Sequence, residues 1–141
     1  MRNIILPVIF CAMFVLISCL KPNNNQKPAP VFTWKIDNGI EQTSDSTTYL
    51  SLFGYHYIYG KRSTTGLFIV TTSTNTGSYS MLNATAGFGY TINGTQYTAI
   101  SGSITITSNS GRILRGVYNS VLILPNIDTV NMAGTFDNIG F

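Results

Sequence analysis

The sequence predicts an all-β fold, and three observations support this. From residue 31 onward, apolar and polar side chains alternate with a period of two, as in half-buried strands. Turn-forming residues interrupt the alternation at short intervals. Outside residues 1–18, no window of helical length carries an amphipathic stripe. We therefore expect an antiparallel β-sandwich of about 8–9 strands, with an up-and-down, lipocalin-like β-barrel as the alternative.

The first predicted strand contains Phe32, Trp34 and Ile36, which alternate with polar residues. Trp34 and Ile36 should face the core. The strand ends at Asp37-Asn38-Gly39, because Asn and Gly tolerate the positive φ angles of a type I′ hairpin turn. The other predicted strands are residues 48–59, 66–73, 78–82, 88–92, 96–100, 103–107, 113–124 and 129–136.

The first 19 residues have the pattern of a bacterial lipoprotein export signal. Arg2 precedes an apolar run over residues 4–16 that is too short to span a bilayer comfortably. Leu16-Ile17-Ser18-Cys19 then resembles a lipobox, the sequence that the lipoprotein signal peptidase recognises. The alternative is an ordinary secretory signal with an incidental cysteine. We predict a signal peptide over residues 1–18, cleavage before Cys19 and lipidation of its thiol.

This interpretation divides the chain into three parts. Residues 1–18 are the signal peptide, residues 19–30 are the lipidated cysteine with a flexible tether rich in Pro and Asn, and residues 31–141 are a single β domain. Of the two cysteines, Cys11 leaves with the signal peptide. No intrachain disulfide is then expected, so packing and sheet hydrogen bonds must stabilise the domain.

The composition limits the classes of partner. Charged residues make up 9% of the 141 residues, against about 25% in typical soluble domains. The net charge of +3 is too small and too scattered for nucleic-acid binding. A surface rich in Thr, Ser, Asn and Gln, combined with many aromatic residues, is typical of a β-rich extracytoplasmic protein.

Three segments carry a resemblance to a known group of proteins: Phe32–Gly39, Gly102–Thr107 and Gly134–Asp137. They resemble small Bacteroidota lipoproteins of uncharacterised function, and the resemblance spans most of the mature chain. It implies one all-β domain that follows a lipidated cysteine and a short tether. Together with Leu20 in place of Asp after the cysteine, it also implies the outer membrane, with the periplasmic and surface faces both open.

Three tyrosines form the strongest candidate contact surface. Tyr55, Tyr57 and Tyr59 alternate along one predicted strand, so they should share one face, joined by Phe53 and Tyr49 if no bulge interrupts the strand. Exposed tyrosines could stack on sugar rings or contact a partner chain. The alternative is a core face, or simple pairing across strands.

The opposite face of that strand should carry His56 and Ile58, with Leu50 and Leu52. His56 is the only histidine, and no Gly-x-Ser-x-Gly motif accompanies it. A lone strand histidine is most often a structural residue. With no free cysteine and dispersed acids, the sequence offers no metal-ligand spacing, and we predict no metal, no cofactor and no catalytic residue.

The remaining alternative activity is glycoside hydrolysis, which requires two convergent carboxylates. Four of the five acidic residues lie beside turn residues, where Asp is favoured for its own backbone hydrogen bonds. The five are Asp37, Glu41, Asp45, Asp128 and Asp137.

Two further groups of residues are candidates for modification or ligand binding. Lys61-Arg62, Arg112 and Arg115 could hold an acidic glycan or phosphate, or could be solvated charges. Ser46 and Thr129 lie in Asp-Ser/Thr contexts that look like the O-glycosylation sites of exported Bacteroidota proteins.

These patterns together predict an outer-membrane-anchored lipoprotein that acts as a non-catalytic binding or structural module. Its expected partners are the membrane, through the lipid on Cys19, and a glycan or an envelope protein. The alternative is an envelope polysaccharide hydrolase.

Overall fold

The computed structural model describes residues 27–123 and 129–141. In these ranges the chain forms ten strands and one short 3-10 helix, Met81–Asn83. No helix there is long and apolar enough to cross a membrane. The strands are β1 Val31–Ile36, β2 Gln42–Thr43, β3 Ser46–Leu52, β4 Tyr55–Arg62, β5 Thr65–Thr71, β6 Gly77–Ser80, β7 Ala86–Ile92, β8 Thr95–Ser110, β9 Ile113–Ile123 and β10 Thr129–Gly140.

All ten strands belong to one antiparallel sheet, which confirms the predicted all-β class. The strand order is β2-β1-β10-β9-β8-β7-β5-β4-β3, and β6 pairs with β8. The sheet is curled into a half-barrel, so one face lines an interior and the other faces outward.

The segment from β2 to β3 contacts both ends of this strand order. β2 pairs with β1, and the backbone N–H of Ser44 donates to the Phe32 carbonyl at 2.9 Å. One residue later, the N–H of Asp45 donates to the Lys61 carbonyl on β4 at 2.8 Å. A single stretch of chain therefore passes from one end of the sheet to the other.

The predicted strand over residues 48–59 is two strands. β3 and β4 form a hairpin whose central residues, Phe53 and Gly54, have φ angles of 52° and 81°. Positive φ at both positions is the requirement of a type I′ turn, the tightest hairpin connection. The sequence-based interpretation missed the turn because apolar residues continue on both sides of it.

This hairpin also reverses the predicted position of the leucines. Leu50 lies directly opposite Tyr57, and Tyr49 lies opposite Ile58. Paired residues share a face, so Leu50 is on the tyrosine side and Tyr49 is on the side of Ile58. The predicted alternation runs through residues 53–54. These two residues form a turn, and even-numbered and odd-numbered positions exchange faces after it.

Residues 96–100 and 103–107, predicted as two strands, are parts of the long strand β8. The pairing of β8 with β9 shifts register between Ala99 and Ser101, and again between Ile106 and Ser108. Each bulge adds a residue that breaks the period-two pattern, so one bent strand resembles two short ones.

The core lies on the inner face of the curled sheet. Trp34 is 1% exposed and Phe32 is fully buried, which confirms that the first strand faces the core. Ile36 is partly buried against the same cluster. Tyr118 packs between the rings of Phe32 and Phe88, with ring centroids 5.5 Å and 6.2 Å away.

Two glycines make room for these rings. A Cβ atom on Gly60 would run into the ring of Phe32, and a Cβ atom on Gly134 would run into Tyr118. Gly134 is also the residue directly opposite Tyr118 in the pairing of β10 with β9. The absence of side chains at these positions lets aromatic rings from neighbouring strands fill the interior.

Gly60→Val should therefore destabilise the protein by roughly 1–3 kcal/mol, because its side chain would displace Phe32 from a packed core. Gly66→Val is the matched control, since a Cβ atom on Gly66 meets nothing within 4 Å. Its free energy of unfolding should change by less than about 0.5 kcal/mol. Urea titration checks both values, and equal effects of the two substitutions would contradict the assigned role of Gly60.

Candidate binding surface

The three predicted tyrosines lie on the outer face of β4. Tyr55 and Tyr59 are 45% and 39% exposed, and Tyr57 is partly buried between them. The rings of Tyr57 and Tyr59 are stacked, with centroids 6.0 Å apart and planes at 16°. The side chains therefore form a row beside solvent and do not contribute to the interior core.

Neighbouring strands extend this row into an apolar patch. Tyr57 pairs with Leu50 on β3 and with Val70 on β5, and Tyr59 pairs with Phe68 on β5. The rings of Tyr59 and Phe68 are 5.7 Å apart. Two further exposed apolar residues at the hairpin turn are Leu52 and Phe53. These seven residues and Tyr55, eight in all, form what we call the outer aromatic face.

A groove of about 790 Å³ opens at one end of the outer aromatic face, beside Tyr59 and Phe68. It extends over β4 and β5 toward two hairpin turns, one at residues 63–64 and one at residues 93–94. These turns are joined by hydrogen bonds. The Thr64 hydroxyl donates to Asn93 Oδ1 at 2.6 Å, and the Asn93 N–H donates to the Thr64 carbonyl at 3.2 Å.

The lining of this groove combines aromatic, hydroxyl and cationic groups. Tyr59 and Phe68 supply the aromatic side, and Lys61 is the one charged side chain among the lining residues that the structure describes. Hydroxyl groups from three strands and one turn line the rest: Ser46, Thr48, Ser63, Thr64, Thr65 and Thr91. Such a surface can stack an apolar face and hydrogen-bond polar substituents at the same time.

A second cavity, of about 400 Å³, lies at the end of the curled sheet where β1 finishes. Its lining includes Trp34, Ile36, Tyr90 and Ile92 from the inner face, with Arg62 at its edge. Lys61 and Arg62 are neighbours in sequence, but they line different cavities because adjacent strand residues point to opposite faces. Among the described residues, neither cavity is lined by a carboxylate.

The acidic residues in the described ranges have local contacts. Asp37 Oδ1 accepts from the N–H of Asn131 at 2.8 Å, and Asp45 Oδ2 accepts from the N–H of Ser63 at 3.1 Å. Asp137 forms an ion pair with Arg115.

Glu41 is exposed, and Asp128 lies outside the described residues. In the ranges that the structure describes, no group of three His, Cys, Asp or Glu side chains could hold a metal ion.

His56 lies on the inner side of β4, where it is partly buried. Its Nδ1 is 2.6 Å from the hydroxyl of Tyr49, and the Tyr49 ring packs 5.6 Å from that of Phe141. Burial raises the pKa of Tyr49, against smaller lowering effects from Ser51 and Arg112. This hydrogen bond connects the two strands of the hairpin and gives His56 a structural contact.

The remaining predicted residues are dispersed. Arg112 lies over the ring of Phe141, 6.0 Å from its centroid. Ser46 and Thr129 are exposed at the starts of β3 and β10, and Ser46 also lines the groove. Cys19 and the predicted signal peptide lie outside the described residues.

The structure also shows a buried tyrosine that the sequence did not single out. The Tyr118 hydroxyl donates to the backbone carbonyl of Thr33, and both groups are buried. Burial raises the pKa of Tyr118 far above its ordinary value. The alternation of β9 marks Tyr118 as inward-facing, but its partner depends on the register of β10 and β1.

Comparison of the chain with protein-family models, curated proteins and solved structures finds no significant match in any of the three.

Tyr118→Phe should lower the free energy of unfolding by about 1–3 kcal/mol at neutral pH, since the buried Thr33 carbonyl loses its donor. Above pH ~10, unfolded Tyr118 loses its proton while the folded residue keeps it, so the stability of the unmodified protein falls as pH rises. The variant lacks this contribution and should lose stability less steeply. Urea midpoints measured from pH 8 to 11 test both effects, and parallel curves would contradict the second.

Proposed function

We propose that this protein is an outer-membrane lipoprotein whose β domain is a non-catalytic binding module, with the outer aromatic face as its contact surface. The observation that carries the proposal is the position of Tyr55, Tyr57 and Tyr59, which lie in a row on the outside of the sheet. Contiguous exposed apolar surface is uncommon on monomeric proteins and marks interaction sites.

The packing of the interior supports binding on the outside. We infer that the curled sheet belongs to the barrel alternative, because the segment from β2 to β3 hydrogen-bonds to both β1 and β4. Its interior is occupied by large side chains such as Phe32, Trp34 and Phe136. A small barrel filled in this way has no ligand chamber at its centre.

Binding is favoured over hydrolysis by the positions of the carboxylates. No acidic residue of the described ranges lines the groove or the second cavity, and three of the five predicted acids have local contacts to backbone or to Arg115. A glycosidase needs two carboxylates on either side of one substrate bond.

A lipid on Cys19 would present the groove away from the membrane. The described chain enters the sheet at Val31, the start of β1, and Lys27 lies near Gly140 at the end of β10. The groove is bounded by turns at the opposite end of the strands. A flexible tether over residues 20–30 would give the domain room to reach a partner.

Simultaneous Tyr55→Ala, Tyr57→Ala and Tyr59→Ala should remove the main partners of the protein in a glycan-array and pull-down screen, because these side chains supply three of the five aromatic rings of the outer aromatic face. The matched control is Ile100→Ala with Val117→Ala, two exposed apolar residues elsewhere on the sheet. Circular dichroism should show that both variants remain folded. Identical partners for the triple variant and the unmodified protein would contradict the proposed surface.

Cys19→Ala should leave an unprocessed precursor that incorporates no labelled palmitate, since the thiol is the predicted acceptor of the lipid. Cys11→Ala is the control and should be processed normally, because Cys11 lies inside the predicted signal. Mass spectrometry of the amino terminus and membrane fractionation give the result. Normal cleavage of the Cys19→Ala variant would disprove the lipoprotein assignment.

A further inference from the structure

We propose that the groove beside Tyr59 and Phe68 binds an acidic oligosaccharide, with one pyranose ring on the aromatic side and its acidic group at Lys61. This inference rests on the proposed function, because Tyr59 belongs to both surfaces. It specifies the chemical class of ligand and the part of the outer aromatic face that binds it.

The aromatic side of the groove is suited to a sugar ring. A pyranose has C–H groups on its ring faces, and these pack on the faces of aromatic rings. Tyr59 is 39% exposed, and its ring is tilted by 42° against that of Phe68, so the two rings form a shallow corner. Phe68 lies across Gly89 on β7, where a Cβ atom would run into its ring. The Phe68 ring therefore packs on the backbone of β7 at Gly89.

The hydroxyl side of the groove supplies hydrogen-bonding groups for the substituents of a sugar. Hydroxyls both donate and accept, as sugar hydroxyls do, so they can match several orientations of the ring. Thr91 lies on β7, Ser46 and Thr48 lie on β3, and the turn at residues 63–64 closes one end. A purely apolar ligand would leave these polar groups without partners.

Lys61 gives the groove its preference for an acidic sugar. Its side chain is exposed on the outer face of β4, and no ion pair of the described residues involves it. The ammonium group carries three donors and no acceptor, so it favours a carboxylate or sulfate substituent over a hydroxyl. It is the only charged group among the described residues of the lining, so it makes the groove complementary to an anion.

The shape of the groove favours a chain over a small enclosed molecule. Its volume of about 790 Å³ lies on the outer surface of the sheet, open to solvent. Ligand sites of roughly 300–1,000 Å³ hold drug-sized molecules, which are larger than one sugar unit. We therefore expect two or more sugar units to contact the protein, with further rings along Tyr57 and Tyr55.

Gly66 offers a way to fill the groove without disturbing the core. It lines the groove opposite Lys61 in the strand pairing, and a Cβ atom there meets nothing within 4 Å. Its φ angle is not in the left-handed region, so a larger residue is not strained. Gly66→Leu should occupy the space of the sugar while the protein stays folded.

The test uses isothermal titration calorimetry on the full-length protein. The probes are tetrasaccharides to hexasaccharides of galacturonate, mannuronate and guluronate, each paired with its methyl-esterified form. At least one acidic chain should bind, and its ester should bind at least about tenfold more weakly, as expected for the loss of one charge-assisted hydrogen bond. Raising the salt concentration should weaken the acidic chain only.

Three variants separate the contributions. Gly66→Leu and Lys61→Gln should each weaken binding of the acidic chain by about tenfold or more, and Lys61→Gln should leave the ester unchanged. Arg62→Gln is the matched control, because Arg62 lines the second cavity and should have little effect.

Failure of this inference is distinguishable from failure of the proposed function. If no acidic chain binds, or if Gly66→Leu binds it as well as the unmodified protein does, the inference is wrong. If the triple tyrosine variant still loses its partners in that case, the outer aromatic face remains a contact surface without the groove. If neither variant changes binding, both proposals fail.

Discussion

The curl of the sheet depends on the contact between Tyr118 and β1. In the sheet order, β10 separates β9 from β1, and Gly134 on β10 lies directly opposite Tyr118. With no side chain on Gly134, Tyr118 reaches across β10 and donates its hydroxyl hydrogen to the Thr33 carbonyl. Its ring then packs on Phe32, whose own ring occupies the space above Gly60 on β4. Rings seated over glycines thus connect strands that are far apart in the sheet.

Because side chains fill the interior, the surface available for binding another molecule lies outside it. Most inward positions of β1, β5, β9 and β10 are buried apolar residues, with Thr71, Ser120 and Asn138 as buried polar residues among them. The groove and the second cavity therefore lie on the outer face and at one end of the sheet. On much of the outer face the exposed residues are Thr, Ser and Asn, with single apolar residues such as Ile100 and Val117 among them. The outer aromatic face on β3, β4 and β5 differs because its exposed apolar residues are neighbours. The parts of these side chains that stay in contact with water gain nothing from folding. This exposed apolar surface is the observation on which the proposed contact surface rests.

The sequence was sufficient for the features that depend on neighbouring residues along the chain. The all-β class, the burial of Trp34 and the shared face of Tyr55, Tyr57 and Tyr59 all follow from the period of two. The sequence pattern does not predict the turn at Phe53 and Gly54, because Phe has a low preference for positive φ and the turn lies in an apolar run. The groove could not be predicted at all, since Phe68, Thr91 and Lys61 are brought together only by strand register.

Lys61 and Arg62 are adjacent on β4, but their side chains lie in different environments. The side chain of Lys61 points outward and is exposed, so its charge costs little free energy there. Arg62 points the other way, to the edge of a cavity lined by Trp34 and Tyr90. A ligand that covers Lys61 would remove water from its ammonium group, and that loss is offset only if the ligand carries an anion. Because the Lys61 ammonium group would lose water on binding, a neutral ligand would bind the groove more weakly than an anionic one.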